Sequence, residues 1–213
     1  TNYIASRMTG NGPYMATNSA NAEASLAYSE KLDNMDGVFT TNAYDYTTWI
    51  SWMFRRAPGF FDVVAYTGDT GTGAGNRVYA HNLGVTPELM ITKARNEIRD
   101  WYVNVSGLQG KLNTNDVFGS DSTLDNASTT ATHFYAQEDT STRNYIVYLF
   151  ATLPGISKVG SFTTVGGAAT VDYGFSSGPR FVLYKRTNTT SDWLLFDSER
   201  GIVAGTEPWL TLN

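Results

Sequence analysis

Lys93, Asp100 and Trp101 return near the end of the chain as Lys185, Asp192 and Trp193, at the same spacing. An indole beside a carboxylate can stack on a sugar ring and hydrogen-bond its hydroxyls. Trp101, Trp193, Asp100 and Asp192 are therefore the candidate ligand-contact residues. The other reading is architectural: each tryptophan anchors the core from a strand and each aspartate caps the turn before it. Recurrence favours architecture, because repeated residues more often preserve a fold than a site.

No other set of residues assembles a reaction. The two histidines, His81 and His133, fall at non-equivalent places, with no nucleophile elbow and no metal-type histidine pair. His81, ahead of an Asn82-Leu83-Gly84 turn, reads as a hydrogen-bonded structural residue. Asp45, Asp62, Asp172, Asp197 and Glu199 show no arrangement that marks a pair for sugar hydrolysis. Calcium would have to come from Asp33 and Asp36 with Gly37, or from Asp116, Asp121 and Asp125, and neither group has the spacing of an encircling loop. The glycine-rich run over 68–75 lacks a phosphate-cradling lysine. The expectation is a protein that is not an enzyme and holds no cofactor, with calcium as the one ion its loops could take.

The elements that would position these residues are strands. Pro87 and Pro179 stand before the apolar runs Leu89-Met90-Ile91 and Phe181-Val182-Leu183-Tyr184, where a residue without an N–H suits a strand's entrance. A polar turn follows, over 93–99 and 185–191, and then a second strand opens on Trp101 or Trp193. Each unit predicts a β-hairpin. Further short strands are predicted over 37–41, 47–54, 62–67, 76–81, 132–136, 143–150, 158–164 and 169–173. Residues 20–32, ANAEASLAYSEKL, carry the only helical signal, one or two turns.

The similarity extends upstream. Ile50-Ser51-Trp52-Met53-Phe54 matches Ile146-Val147-Tyr148-Leu149-Phe150, and Pro58-Gly59 matches Pro154-Gly155, an offset of 154 − 58 = 96. Across the hairpin it is 179 − 87 = 92, so the first copy carries extra residues, expected in the glycine-rich loop. Trp209–Asn213 resembles both 111–115 and 14–18. A module of about 97 residues then divides the chain into the later part of one copy (1–59), a complete copy (60–155) and the first part of the next (156–213). The two partial copies could complete one another, within one chain or by strand exchange between chains. The fold expected is all-β: tandem β-sandwich or jelly-roll modules.

Composition agrees. Aromatics are 14% and charged residues 16% of 213, with 20 glycines, a mixture that favours strands and turns. A net charge of −5 offers no basic face to nucleic acid. With no cysteine there is neither disulfide nor thiolate metal site. No apolar run has the length of a membrane span, so membrane insertion is not expected. The chain opens on Thr1, as a processed or partial chain would.

The phrases WISWMFRRAPGFFDVVAYTG, HNLGVTPELMITKAR and YLFATLPGISKVGSF, with GFSSGPRFVLYKR, DW and DSERG, resemble a tandem module of structural and tail-fibre-like proteins of tailed bacteriophages, especially marine ones. The resemblance covers nearly the whole chain. It implies concanavalin-like or jelly-roll-like β modules on the extracellular face of a virion, in a tail or fibre. The partners it implies are further copies or other virion proteins, and a host surface glycan or receptor. It brings no catalytic residues. The alternatives are a lectin-like carbohydrate-binding module of an extracellular protein and, less favoured, a glycan depolymerase.

Overall fold

The computed structural model describes residues 2–10, 12–25, 31–34, 37–39, 50–68, 76–119, 124–125, 128–137, 142–164, 166–167, 170–202 and 207–213. The strands are β1 (Tyr3–Ile4), β2 (Pro13–Ala16), β3 (Ala24–Ser25), β4 (Lys31–Asn34), β5 (Gly37–Phe39), β6 (Phe61–Thr67), β7 (Asn76–Ala80) and β8 (Leu89–Ala94). They continue with β9 (Tyr102–Val105), β10 (Leu108–Lys111), β11 (Leu124–Asp125), β12 (His133–Gln137), β13 (Asn144–Phe150), β14 (Phe181–Tyr184), β15 (Leu194–Asp197) and β16 (Leu210–Thr211). Every ladder is antiparallel, and the described residues contain no helix. The chain is all-β.

Its centre is a five-stranded sheet in the order β10-β9-β8-β13-β6. β13 lies between β8 and β6, with Tyr148 opposite both Ile91 and Val63. Buried on both faces, it reads as a continuous apolar run, Tyr145 to Phe150. Val147, Leu149 and Met90 pack against Phe134 and Ala136 of the sheet β11-β12-β7. Ile91, Val103, Ile146 and Tyr148 join a second cluster with Met15, Trp101, Leu112, Trp193, Leu195 and Leu212. That second cluster draws the two ends of the chain together with its middle.

Both expected hairpins form, β8 with β9 and β14 with β15, each opening two residues after its proline. Leu89 pairs with Val105 as Phe181 pairs with Asp197, so the two share one register. The turns at Gly59 and Gly155 also correspond. Both glycines are left-handed, φ 75° and 76°, and each turn is closed by a bridge, Ala57 to Phe61 and Leu153 to Ser157.

Three expected strands are corrected. Residues 50–54 and 158–164 are not strands, nor are the described residues of 169–173. Their counterparts, β13 and β6, are each other's partners beneath the sheet that carries Phe134. Residues 161–164 are exposed throughout, so ordering them would bury too little apolar surface to offset its entropy. The helical signal over 20–32 is also overturned at its described residues, 20–25 and 31–32: Ala24–Ser25 is a strand, Lys31 and Leu32 open β4, and Glu23 is drawn into an ion pair with Arg95. Residues 26–30, 40–49, 121 and 169 lie outside the described residues, and with them part of the strands expected at 37–41 and 47–54.

Candidate functional site

Trp101 and Trp193 do not lie on a surface. They are 0% and 6% exposed, so neither offers a ring face to a ligand. Trp101 stacks on Tyr148, ring centroids 6.4 Å apart, and Trp193 lies against Phe118 at 5.7 Å with the Lys185 ammonium 6.0 Å from its ring centroid. Each indole N–H spends itself on a carbonyl of another segment: Trp101 Nε1 donates to Ala16 O at 2.9 Å, Trp193 Nε1 to Lys111 O at 2.8 Å.

The aspartates do not cap the preceding turn. Asp100 accepts from Asn113 Nδ2 at 2.8 Å, and Asn113 Oδ1 in turn accepts from the Trp101 N–H at 2.8 Å. Asp192 and Asn213 repeat this around Trp193 at 2.9 and 2.8 Å. Burial would raise the Asp100 pKa, but hydrogen bonds from Asn113 and Lys111 and the charges of Lys111 and Lys93 outweigh it and hold the carboxyl below its ordinary value.

Lys93 is fully buried and donates to Ala94 O at 2.8 Å and Ala20 O at 3.2 Å. Desolvation pulls its pKa down to about 8, against the opposing charge of Asp100. Lys185 donates to Ser191 O, and its pKa is likewise lowered by burial against the pull of Asp192 and Asp116.

These contacts form a clip that the chain makes three times. Leu112 N donates to Trp101 O, Leu212 N to Trp193 O and Thr17 N to Asn2 O, at 2.9, 3.2 and 3.0 Å. β1 and β2 therefore stand where β9 and β10, and β15 and β16, stand in the other copies, with Asn2 in the tryptophan position. Asn2 acts as the tryptophans do: its Nδ2 donates to Thr211 O at 2.9 Å. The donors of the second, third and first clips thus reach the first, second and third, a closed cycle. Thr17 Oγ1 reinforces the closure by donating to Leu212 O at 3.1 Å.

The flanking loops repeat as well. Arg99 N donates to Ala20 O and Glu23 N to Arg95 O, as Ser191 N donates to Asn115 O and Phe118 N to Thr187 O. The hydrogen bonds correct one sequence alignment. Thr211, not Trp209, stands on Lys111, so the match of Trp209–Asn213 to 111–115 is out by two residues, whereas its match to 14–18 holds. Loops of unequal length between the paired strands hid the register.

Sequence reading missed Asn2, Asn113 and Asn213. Each ends or begins a clip, and only the recurrence of Leu-Asn at 112–113 and 212–213 could have pointed to two of them.

His81 is 5% exposed. Its Nδ1 accepts from the Leu83 N–H at 3.2 Å, which makes Nε2 the donor to Thr130 O at 3.1 Å and fixes the neutral tautomer. Desolvation lowers its pKa below the usual 6.5, although the Thr130 bond and Asp62 oppose this. Asp62, 1% exposed, accepts from Asn82 N and Val63 N and pairs with Arg56. Among the described residues no three His, Cys, Asp or Glu side chains cluster to hold a metal, and Asp121 lies outside them. Among the same residues, no helix is long and apolar enough to cross a membrane.

Residues 54–208 match the family model described as a domain of unknown function (DUF7483). The chain belongs to that family. No curated protein and no solved structure matches it. The match to the DUF7483 model begins at Phe54 and takes in the whole clip at Trp101 and, of the clip at Trp193, β14 and β15, while β16, Leu212 and Asn213 follow it and the clip at Asn2 precedes it.

Proposed function

We propose that this DUF7483 protein is a non-enzymatic structural component of a virion appendage, of the phage tail-fibre kind, exposed on the outer face of the particle. It is built from tandem β-sandwich or jelly-roll modules of about 97 residues. Its partners are further copies or other virion proteins, and its outer loops meet a host surface glycan or receptor. One observation carries the reading: the recurring side chains able to do chemistry, the lysines, aspartates and tryptophans of the clips, are all engaged in tying segments of the chain together. Such a body serves as spacer or scaffold.

In this reading residues 1–59 and 156–213 complete one module within a single chain. Trp52 and Phe54 support it, lying 6.1 and 5.7 Å from Phe181 where β13 supplies Tyr148 and Phe150 to β8 in the other copy. Arg200, over the Trp52 ring at 5.2 Å, adds a cation–π contact to the same junction.

A lectin-like role has its own support in Trp209, 59% exposed, a large aromatic free to stack on a sugar. A glycan array of the purified chain, with and without calcium, beside Trp209→Ala and Trp101→Ala, tests both. Selective binding lost only in Trp209→Ala establishes adhesion through that ring. Loss only in a folded Trp101→Ala moves the buried tryptophans from scaffold to site. New reducing ends released from a bound glycan would overturn the non-enzymatic reading.

A further inference from the structure

His81 stands where two layers meet. It follows β7 in the sheet β11-β12-β7, and Leu83, two residues on, packs with Met90, Val147 and Leu149 of the five-stranded sheet. The ring lies over Phe134 of β12, centroids 6.4 Å apart, and the His81 N–H donates to Thr132 O at 2.8 Å. We propose that His81 is an acid-sensitive latch: its neutral imidazole pins the end of β7 and the loop over 128–133 to the five-stranded sheet, and on taking up a proton it lets that seam open.

The two hydrogen bonds of the ring require opposite things of its nitrogens. Nδ1 accepts from the Leu83 N–H at 3.2 Å while Nε2 donates to Thr130 O at 3.1 Å, so one nitrogen must be bare and the other must carry hydrogen. Only the neutral ring satisfies both. An imidazolium aims a second N–H at the Leu83 N–H, and that buried donor loses its acceptor. Turning the ring over does not help, since both nitrogens of an imidazolium donate. The turn that the ring braces is tied to the other layer: Gly59 N donates to Leu83 O at 2.7 Å, and Asn82 N to Asp62 Oδ2 at 2.7 Å.

Two ionisable groups act on the ring among the described residues. Asp62, from β6, draws a proton to it, and His133, from β12, repels one. The Asp62 oxygens already accept from Val63 N, Asn82 N and Arg56, whose guanidinium offsets the carboxylate charge. Burial dominates and, with His133, outweighs the Thr130 bond and Asp62, so the folded ring resists protonation. An opened seam returns the ring to water, where it titrates near its ordinary 6.5. The open form therefore takes the proton first, and acid favours it. Opening bares Leu83 and Phe134, both 0% exposed in the closed form.

The test follows amide hydrogen exchange of the 213-residue chain from about pH 8 to about pH 5, each rate divided by the intrinsic rate at that pH, beside the imidazole nitrogen shifts by NMR. Protection of the His81, Asn82 and Leu83 amides should fall below pH 6.5, by about tenfold per pH unit until the folded ring is itself protonated, while Val147 and Leu149 of β13 keep theirs. The shifts should show a neutral ring with its proton on Nε2, titrating below 6.5. His81→Asn keeps an oxygen for the Leu83 N–H but cannot titrate, so protection at the turn should stay flat across the range. His133→Gln, at the exposed neighbour, should leave the fall in place. A ring that titrates at or above 6.5, or whose neutral form carries its proton on Nδ1, overturns the proposal even if His81→Asn fails to fold. So does protection that never falls, a fall that His81→Asn retains, or one that β13 shares, which is global unfolding.

Discussion

Replacing Trp101 by phenylalanine separates the two things this side chain does. The residue is 0% exposed and its Nε1 donates at 2.9 Å to the Ala16 carbonyl. Phenylalanine keeps most of the buried hydrocarbon but leaves that carbonyl without its donor, which costs about 1–3 kcal/mol. Alanine also empties the space beside Tyr148, and the total rises to about 3–5 kcal/mol. Set against a total stability of about 5–15 kcal/mol for a domain, the first is measurable and the second threatens folding.

Urea unfolding gives the size of the loss, and hydrogen exchange gives its place. Since the acceptor belongs to β2, Trp101→Phe should speed exchange at Ile4, Met15 and Thr17, in a segment some eighty residues away. Trp193→Phe should do the same for residues 108–112 through Lys111. Stability within about 0.5 kcal/mol of the parent for Trp101→Phe would refute the clip. So would faster exchange confined to residues near 101, because the indole would then not hold the first clip to the second.

Asn113→Ala and Asn213→Ala each remove an acceptor for a tryptophan N–H and a donor to an aspartate, and each should cost about 1–3 kcal/mol by urea midpoint, with the two effects alike. Gly110→Ala places a Cβ 2.2 Å from the Phe118 ring and should cost about 1–3 kcal/mol, while Gly59→Ala and Gly155→Ala, at φ 75° and 76°, should each cost about 1–2 kcal/mol in thermal unfolding. Alkaline stability should pass through a maximum. With Lys93 at about 8 folded and 10.5 unfolded, the unfolded chain holds more protons between those values, so stability rises with pH there. Above pH 10 the buried Tyr148 hydroxyl, whose pKa burial raises, keeps its proton longer than the unfolded chain does, and stability falls. Lys93→Met should shrink the rise, leaving the part that Lys185, also lowered by burial, contributes. Tyr148→Phe should shrink the fall, to which Lys111, raised by its hydrogen bond to Asp100, also contributes, and, by removing a hydroxyl with no hydrogen-bond partner among the described residues, cost nothing at pH 7. On the acid side, His81 resists protonation in the fold, so stability should decline as pH drops below 6.5 and the decline should shrink in His81→Asn.

The sequence by itself determined what depends on neighbours along the chain. The all-β class followed from composition. The two hairpins followed from proline, apolar run, polar turn and tryptophan recurring in order, and the glycine turns at 59 and 155 from a recurring Pro-Gly. Those features are local, and backbone sterics enforce them wherever the segment sits.

Tertiary structure decided the rest. Residues 50–54 and 146–150 are close in sequence pattern, yet only the second becomes a strand, because β13 finds ladder partners in β8 and β6 while no described strand pairs with 50–54. Asn2 bears no resemblance to a tryptophan, yet it fills the tryptophan's place, because a side-chain amide and an indole both present an N–H to a carbonyl. The Asp-Trp pairs were legible as a recurrence but not as a clip. Their partners, Ala16, Lys111, Asn113 and Asn213, lie from twelve to eighty-five residues away, and nothing local signals a bond that only the folded chain brings within reach.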